Sequence, residues 1–290
     1  MSSVDILILG AGWTSTFLVP LCKKSDITFA STTRSGASST IKFEFQPDSE
    51  DEEPYRLLPD ATTVLITFPI TLRGASERLV KLYLATRHTL TPATGFIQLG
   101  ATTRISLIVP AQNSVASAVT TNILDRHSPI SLTGRANAEE ELLGLHSRGV
   151  ASTTVLNLAG LWGGQRIPRN WLGRVASTKE ALAAKGSLHL IHGEDVARAI
   201  LAIHNDFATA AGERWLLTDG RVYDWWDLAS AWRAGSAPPE DAPAIWVREL
   251  MKEAGVKVLP RDKADLGRVL DSSEFWDTFG LSPVHARVSS

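Results

Sequence analysis

In Val4-Asp5-Ile6-Leu7-Ile8-Leu9-Gly10-Ala11-Gly12-Trp13-Thr14-Ser15 an apolar strand runs directly into a glycine turn that opens a helix. Gly10 permits the tight turn. Gly12 leaves room for the backbone to approach a pyrophosphate, whose charge the N–H groups at the start of the next helix stabilise. The stretch therefore reads as a dinucleotide-binding turn, with Gly10, Gly12, Trp13, Thr14 and Ser15 as its candidate contacts. Ser15 stands where the third glycine of a G-x-G-x-x-G spacing falls, a position that serves helix-to-strand packing and accepts a small residue.

Outward from that turn, short β-branched runs alternate with helical patterns: Asp5 to Leu9, Ile27 to Thr32, Ile41 to Phe45, Thr63 to Thr67, Gly95 to Leu99 and Thr153 to Leu158. Alternation of this kind predicts an α/β fold, a doubly wound parallel sheet covered by helices. Between them, Leu79, Leu82 and Tyr83 recur at helical spacing within Ala75 to Arg87. Leu142 and Leu145 mark an inward face over Arg135 to His146, with Glu139 to Glu141 mostly outward. Residues 1–160 thus form the dinucleotide-binding part. From Leu161 to Trp171 tryptophan, glycine and proline crowd together, and residues 161–290 are expected to form a smaller substrate-binding region interleaved with the last strands. That region contains a strand at Ser187 to Ile191, a helix at Asp195 to His204, a strand at Arg214 to Thr218, a helix at Tyr223 to Trp232 and a Pro-rich linker at Ser236 to Pro243.

The composition narrows the classes of partner. At 290 residues with 44% hydrophobic content, the chain can bury a sizeable core. Its 29 basic and 31 acidic residues leave a formal charge of -2, which gives no electrostatic footprint for nucleic acid or an anionic membrane. No apolar run approaches the roughly 18 residues that span a bilayer. The one cysteine, Cys22, excludes an intrachain disulfide and reads as a packed thiol of the first helix. A cytoplasmic protein with a small-molecule ligand is the expectation, and the oligomeric state is not legible.

The end of the second strand selects the dinucleotide, because an acid there reads a free ribose 2′-hydroxyl and a base reads a 2′-phosphate. Here it runs Ala30-Ser31-Thr32-Thr33-Arg34-Ser35 and contains no acid. The Arg34 guanidinium suits a phosphate, with Thr33 and Ser35 as hydroxyl donors, so NADP(H) is favoured over NAD(H). Thr67, Phe68 and Pro69, at the end of the fourth strand, are expected to border the cofactor. Asp48 stands where an adenine edge is read, or is a solvated acid of the run Asp48 to Glu53.

Three further segments carry a resemblance: Phe96 to Thr102, Leu156 to Gly163, and Leu190-Ile191-His192-Gly193-Glu194-Asp195-Val196-Ala197-Arg198-Ala199, whose His-x-x-Asp-Val-Ala helix start is fairly specific. With the glycine turn, the chain over about residues 4 to 235 resembles the extended and atypical branches of the short-chain dehydrogenase/reductase superfamily. The resemblance implies a tyrosine acid/base, a lysine four residues later that lowers its pKa, and a serine or threonine that binds the substrate oxygen. That pair is missing. Four residues beyond Tyr55, Tyr83 and Tyr223 lie Pro59, Arg87 and Asp227. In the segment Ser131 to Glu140, Thr133 takes the tyrosine position and Asn137 the lysine position, while the serine position falls on Ala101 with Thr102 adjacent. Thr102, Thr133 and Asn137 are the candidate catalytic residues, although threonine needs an activating partner to deliver a proton and asparagine does not replace a cation.

Other side chains add candidates. Trp162, Arg166 and Trp171 are the expected substrate contacts, walling an apolar pocket and binding a carboxylate. His192, just before a helix start, reads as a cap more readily than as an acid/base. His189 lies on a short strand, facing either the cleft or the strand's polar side. Arg135 and Glu139 have the spacing of an i,i+4 pair, with a substitute catalytic role for either as the lesser reading. No cluster has metal-ligand spacing, so no metal is expected. Three functions remain open: an NADPH-dependent oxidoreductase on a small organic carbonyl compound, a non-redox isomerase, lyase or cyclase with structural NADP, and a non-catalytic NADP-sensing interaction protein.

Overall fold

The computed structural model describes residues 3–87, 93–102, 123–131, 134–285 and Val288. Val4–Leu9 (β1) leads through the glycine turn into Ser15–Lys24 (α1), then Phe29–Thr33 (β2) and Ile41–Lys42 (β3). Glu53–Arg56 (α2), Ala61–Ile66 (β4), Ala75–Ala85 (α3) and Gly95–Ala101 (β5) follow. Ile123–Leu124 (β6) precedes Arg135–Ser147 (α4), Ser152–Leu158 (β7) and Gly160–Trp162 (β8). The third strand is only two residues long, against the five expected, because β3 pairs with β2 over Ile41 and Lys42 alone.

The remaining elements build the C-terminal part. They are Leu172–Val175 (α5), Lys179–Ala183 (α6), Ser187–Leu188 (β9), Leu190–His192 (β10), Gly193–Asn205 (α7), Phe207–Ala210 (α8) and Arg214–Leu217 (β11). Tyr223–Asp224 (β12), Trp225–Arg233 (α9), Ala242–Ala254 (α10), Val269–Leu270 (β13) and Ser273–Thr278 (α11) complete the order. The single strand expected at Ser187 to Ile191 is two. Residues 187 and 188 pair antiparallel with β12, whereas 190 to 192 pair parallel with β8.

The central sheet runs β3-β2-β1-β4-β5-β7-β11, and every neighbouring pair is parallel. The chain therefore leaves β1 toward one edge and returns across it to β4. Strand order reverses there, which opens a crevice beyond the carboxyl ends of β1 and β4.

Alternation along each strand feeds two cores. Ile6, Ile8, Leu65, Ile97 and Leu156 meet Leu18 of α1 and Val196, Ile200 and Ile203 of α7 on one face. On the other, Leu7, Leu9, Val64, Phe96 and Val155 meet Leu79 and Tyr83 of α3 and Leu142 and Leu145 of α4. Covered on both sides, the strands read as unbroken apolar runs rather than as alternating ones. Cys22 is packed in the first of these cores. A third core joins Leu172, Leu182, Trp225, Trp226, Val247 and Leu250 of the C-terminal part. Among the described residues no helix is long and apolar enough to cross a membrane.

Glu139 departs from the expected outward face of α4. It is 3% exposed, and its carboxylate receives Asn157 Nδ2 at 2.9 Å and the Arg214 guanidinium. Glu141 is also engaged, accepting the Gly74 and Glu77 amides at 2.6 and 2.8 Å near the start of α3. The acidic triplet faces three ways because its partners come from β7, β11 and α3.

Candidate functional site

The glycine turn is held from both sides. The Gly10 amide donates to Thr32 Oγ1 at 3.0 Å and the Ala11 amide to the Thr32 carbonyl at 2.6 Å, while Thr67 Oγ1 donates to the Gly10 carbonyl at 2.6 Å. Gly10 has φ +89°, and a Cβ there would stand 2.7 Å from Thr67 Oγ1. Beyond it, the amides of Gly12, Trp13 and Thr14 have no hydrogen-bond partner among the described residues. Three free amides at a helix start, with no acidic side chain in the first turn of α1, form a seat for an anion.

An outer cavity of about 950 Å³ opens on this turn, bounded by Gly10 to Gly12, Thr33 to Ser35, Phe43 to Phe45 and Thr67 to Leu72. Phe45 and Phe68 stack with ring centroids 5.5 Å apart and wall one side. Arg34 is exposed at its rim, and Thr33 Oγ1 is shared with Thr40 Oγ1 at 2.7 Å and with the Gly36 amide at 3.0 Å. Asp48 is exposed and outside the lining, whereas Glu44 lines it. A second, inner cavity of about 330 Å³ shares Gly12, Thr67 and Pro69 with the first. It extends past Trp13 and Thr14 to Leu99, Gly100, Ala101, Leu158, Leu161, Arg135 and Arg166.

A hairpin turn closes the inner cavity. Gly163 and Arg166 exchange both backbone hydrogen bonds at 3.0 and 3.1 Å, and the Gly163 carbonyl accepts Trp13 Nε1 at 3.0 Å. The turn thereby places the Arg166 guanidinium 4.4 Å over the Trp13 ring. Arg135 opens α4. Its Nη2 donates to the Leu99 carbonyl at the end of β5, and its Nε lies 3.3 Å from Glu139 Oε1. Burial pulls the Arg135 pKa down while Glu139 pulls it up, and an arginine remains charged at neutral pH. Gly100 is required beside this pair, since a Cβ there would lie 2.1 Å from Asn157 Nδ2 and 2.8 Å from Glu139 Oε1.

The other expected site residues fall as follows. Ser15 is buried under the turn, with an Oγ that has no partner, and lines neither cavity. Thr102 is buried one residue beyond the inner cavity, and its carbonyl accepts Arg268 Nη1 at 2.9 Å. Asn137 is exposed on α4 and outside both linings. Thr133 lies outside the described residues. Trp162 packs behind the hairpin against His192, with ring centroids 4.6 Å apart, and Trp171 packs against the third core. Of the three expected substrate contacts only Arg166 faces the cavity.

The histidines have structural partners. His192 Nδ1 accepts the Glu194 amide at 3.2 Å and caps α7. His189 is buried, with Nε2 accepting the Leu270 amide at 3.0 Å. Asp195 of the His-x-x-Asp-Val-Ala segment receives the Val284 and His285 amides at 2.9 and 3.1 Å, tying down the C-terminal segment. That contact brings His285 beside Glu194, 2.7 Å apart, and groups both with His192 in a way no sequence spacing shows. Sequence reasoning missed Phe43, Glu44 and Phe45, because the chain reaches the crevice there through a loop; Arg135, read mainly as half of an i,i+4 pair, makes that contact with Glu139 and lines the inner cavity as well.

No family model matches the sequence, and no curated protein matches it significantly. Solved structures do. The chain is similar to dTDP-glucose 4,6-dehydratase from Bacillus anthracis in complex with NAD, at 12% identity and a TM-score of 0.59 over 98% of this chain and 94% of that one. It is similar to a short-chain dehydrogenase/reductase superfamily protein from Agrobacterium tumefaciens with bound NAD, at 13% identity and a TM-score of 0.60 over 96% and 92%. It also resembles Gre2 from Candida albicans, at 10% identity and a TM-score of 0.61 over 97% and 94%. The fold is that of the short-chain dehydrogenases and reductases. The strand order, the glycine turn and the crevice at its switch point agree with that fold over nearly the whole chain.

Proposed function

We propose that this chain binds NADP(H) across the two joined cavities and acts as an oxidoreductase on a small organic carbonyl compound. The observation that carries the reading is the row of unpartnered amides at Gly12, Trp13 and Thr14, placed where the outer and inner cavities meet. A dinucleotide fits this donor set. The amides and the start of α1 receive the pyrophosphate, and the outer cavity takes the adenosine half. When bound, the nicotinamide supplies or accepts a hydride. Arg34 and Ser35 hold a ribose 2′-phosphate at the outer rim, and Leu99, Leu158 and Leu161 exclude water from the inner end.

Titration with NADPH and NADH tests the cofactor. Preference for NADPH that Arg34→Ala abolishes supports it, whereas equal affinity overturns the NADP assignment, and a preference for NADH would place the ribose against Glu44. A panel of small carbonyl compounds, followed by the absorbance of the reduced cofactor, tests the chemistry.

A non-catalytic protein that senses NADP(H) and binds a partner is favoured by one observation. Among the described residues lining the inner cavity there is no tyrosine, lysine, histidine or carboxylate to move a proton near neutral pH. Binding of NADPH without turnover across the carbonyl panel, with a protein partner captured only when NADPH is present, decides for that reading. One reduced cofactor consumed per product decides against it.

A further inference from the structure

We infer that the inner cavity selects a small substrate bearing a carboxylate, clamped between Arg135 and Arg166. The inference rests on the dinucleotide reading and adds the substrate class to it. Among the described residues, these two arginines are the only charged side chains in the lining, and they come from different elements: Arg135 from the start of α4, Arg166 from the Gly163–Arg166 hairpin.

Neither guanidinium is used up by the protein. Arg135 spends Nη2 on the Leu99 carbonyl and turns Nε toward Glu139, which leaves Nη1 with no partner among the described residues. Arg166 stands over the Trp13 ring, 4.4 Å from its centroid, and makes no side-chain hydrogen bond among them. The cation–π contact holds the guanidinium at the ring and leaves its N–H donors open, and such a fork of donors suits a planar two-oxygen acid.

The pyrophosphate is not the natural occupant of Arg135. Its seat is the row of amides beyond β1, whereas Arg135 is anchored at the end of β5, two strands away and about 10 Å off at ordinary strand spacing. The size also limits the ligand. A cavity of about 330 Å³ lies at the lower end of the range for small-molecule sites, and the nicotinamide end of a dinucleotide occupies part of it. What remains suits an acid of a few heavy atoms. Glu139 does not cancel the charge, because the Arg214 guanidinium already claims its other oxygen.

The test is calorimetric titration of oxamate, and of its neutral isostere oxamide, into protein saturated with NADP. Oxamate is expected to bind about tenfold or more tightly than oxamide, as a charge-assisted contact warrants. Arg135→Gln is expected to erase that preference while changing NADP affinity less than about threefold, and Arg166→Gln to reduce it. Arg135→Lys keeps a cation beside Glu139, so a folded variant with a partial preference is available. Equal binding of oxamate and oxamide overturns the inference. So does loss of NADP affinity in step with oxamate affinity in Arg135→Gln, which would assign the arginine to the cofactor. Failure of NADP to bind the unaltered protein overturns the dinucleotide reading instead, and oxamate against oxamide titrated into the free protein then decides the anion site separately.

Discussion

Two glycines of the first turn have different jobs, and their substitutions separate folding from binding. Gly10 adopts φ +89°, and its absent Cβ makes way for the Thr67 hydroxyl that ties β4 to the turn. Gly10→Ala is expected to cost about 1–3 kcal/mol in urea unfolding, because it combines a left-handed backbone with a displaced hydrogen bond. Gly12 has an ordinary φ, and a Cβ would meet only the Gly10 carbonyl oxygen, at 3.9 Å. Gly12→Ala is therefore expected to keep stability within about 0.5 kcal/mol and to weaken dinucleotide binding, since the added methyl stands in the approach to the free amides. Equal stability losses in both variants would contradict this division. Both glycines were legible in the sequence, since their spacing and the strand before them carry the signal. Arg135 was not legible as a cavity residue, because its position depends on where the start of α4 meets the end of β5.

At the scale of elements, α4 shows what local pattern does not reveal. Leu142 and Leu145 pointed inward as their spacing required, but Glu139 turned inward with them. Its partner Arg214 lies 75 residues later on β11, and Asn157, on β7 between them, closes the network at 2.8 Å to Arg214 and 2.9 Å to Glu139. No window of sequence contains all three. Glu139→Gln leaves the buried Arg214 and the half-buried Arg135 without their shared carboxylate, and is expected to destabilise the protein by about 3–5 kcal/mol. Glu140 also reaches Arg214, at 2.8 Å, but its side chain is 46% exposed. Glu140→Gln is expected to cost less than about 1 kcal/mol. Urea midpoints of the two variants measured side by side check the contrast, and similar losses would mean that Arg214 is held from outside. The same non-locality broke the expected strand at Ser187 to Ile191, whose halves pair with β12 and β8.

Across the whole molecule, the sheet was readable because parallel strands covered on both faces announce themselves as apolar runs, and the glycine turn fixed which strand comes first. The junction between that sheet and the C-terminal part was not readable, and it carries two buried groups whose titrations oppose each other. Burial, with the charge of Arg268 added, pulls His189 from its ordinary 6.5 to about 4. Burial pushes Asp219 up from 3.8 to about 6, against the hydrogen bonds of Tyr223 and the Arg221 amide. Unfolded His189 binds a proton below 6.5 that the folded form refuses until about 4, so its share of stability is lost as pH falls through that window. Folded Asp219 holds a proton below about 6 that the unfolded form releases until 3.8, so its share is gained as pH falls. Each swing amounts to at most about 3–3.5 kcal/mol, and over pH 4 to 6 the two offset one another. His189→Gln retains an acceptor for the Leu270 amide and removes the acid-sensitive share, so its stability relative to the unaltered protein should climb as pH falls from 6.5 to 4. Asp219→Asn retains an acceptor for the Tyr223 hydroxyl, and its relative stability should be highest near neutral pH and decline toward 4. Urea unfolding across that range reads both differences. Two lines of opposite slope are expected, and a flat line for either variant would show that the group it replaces keeps its ordinary proton affinity when buried.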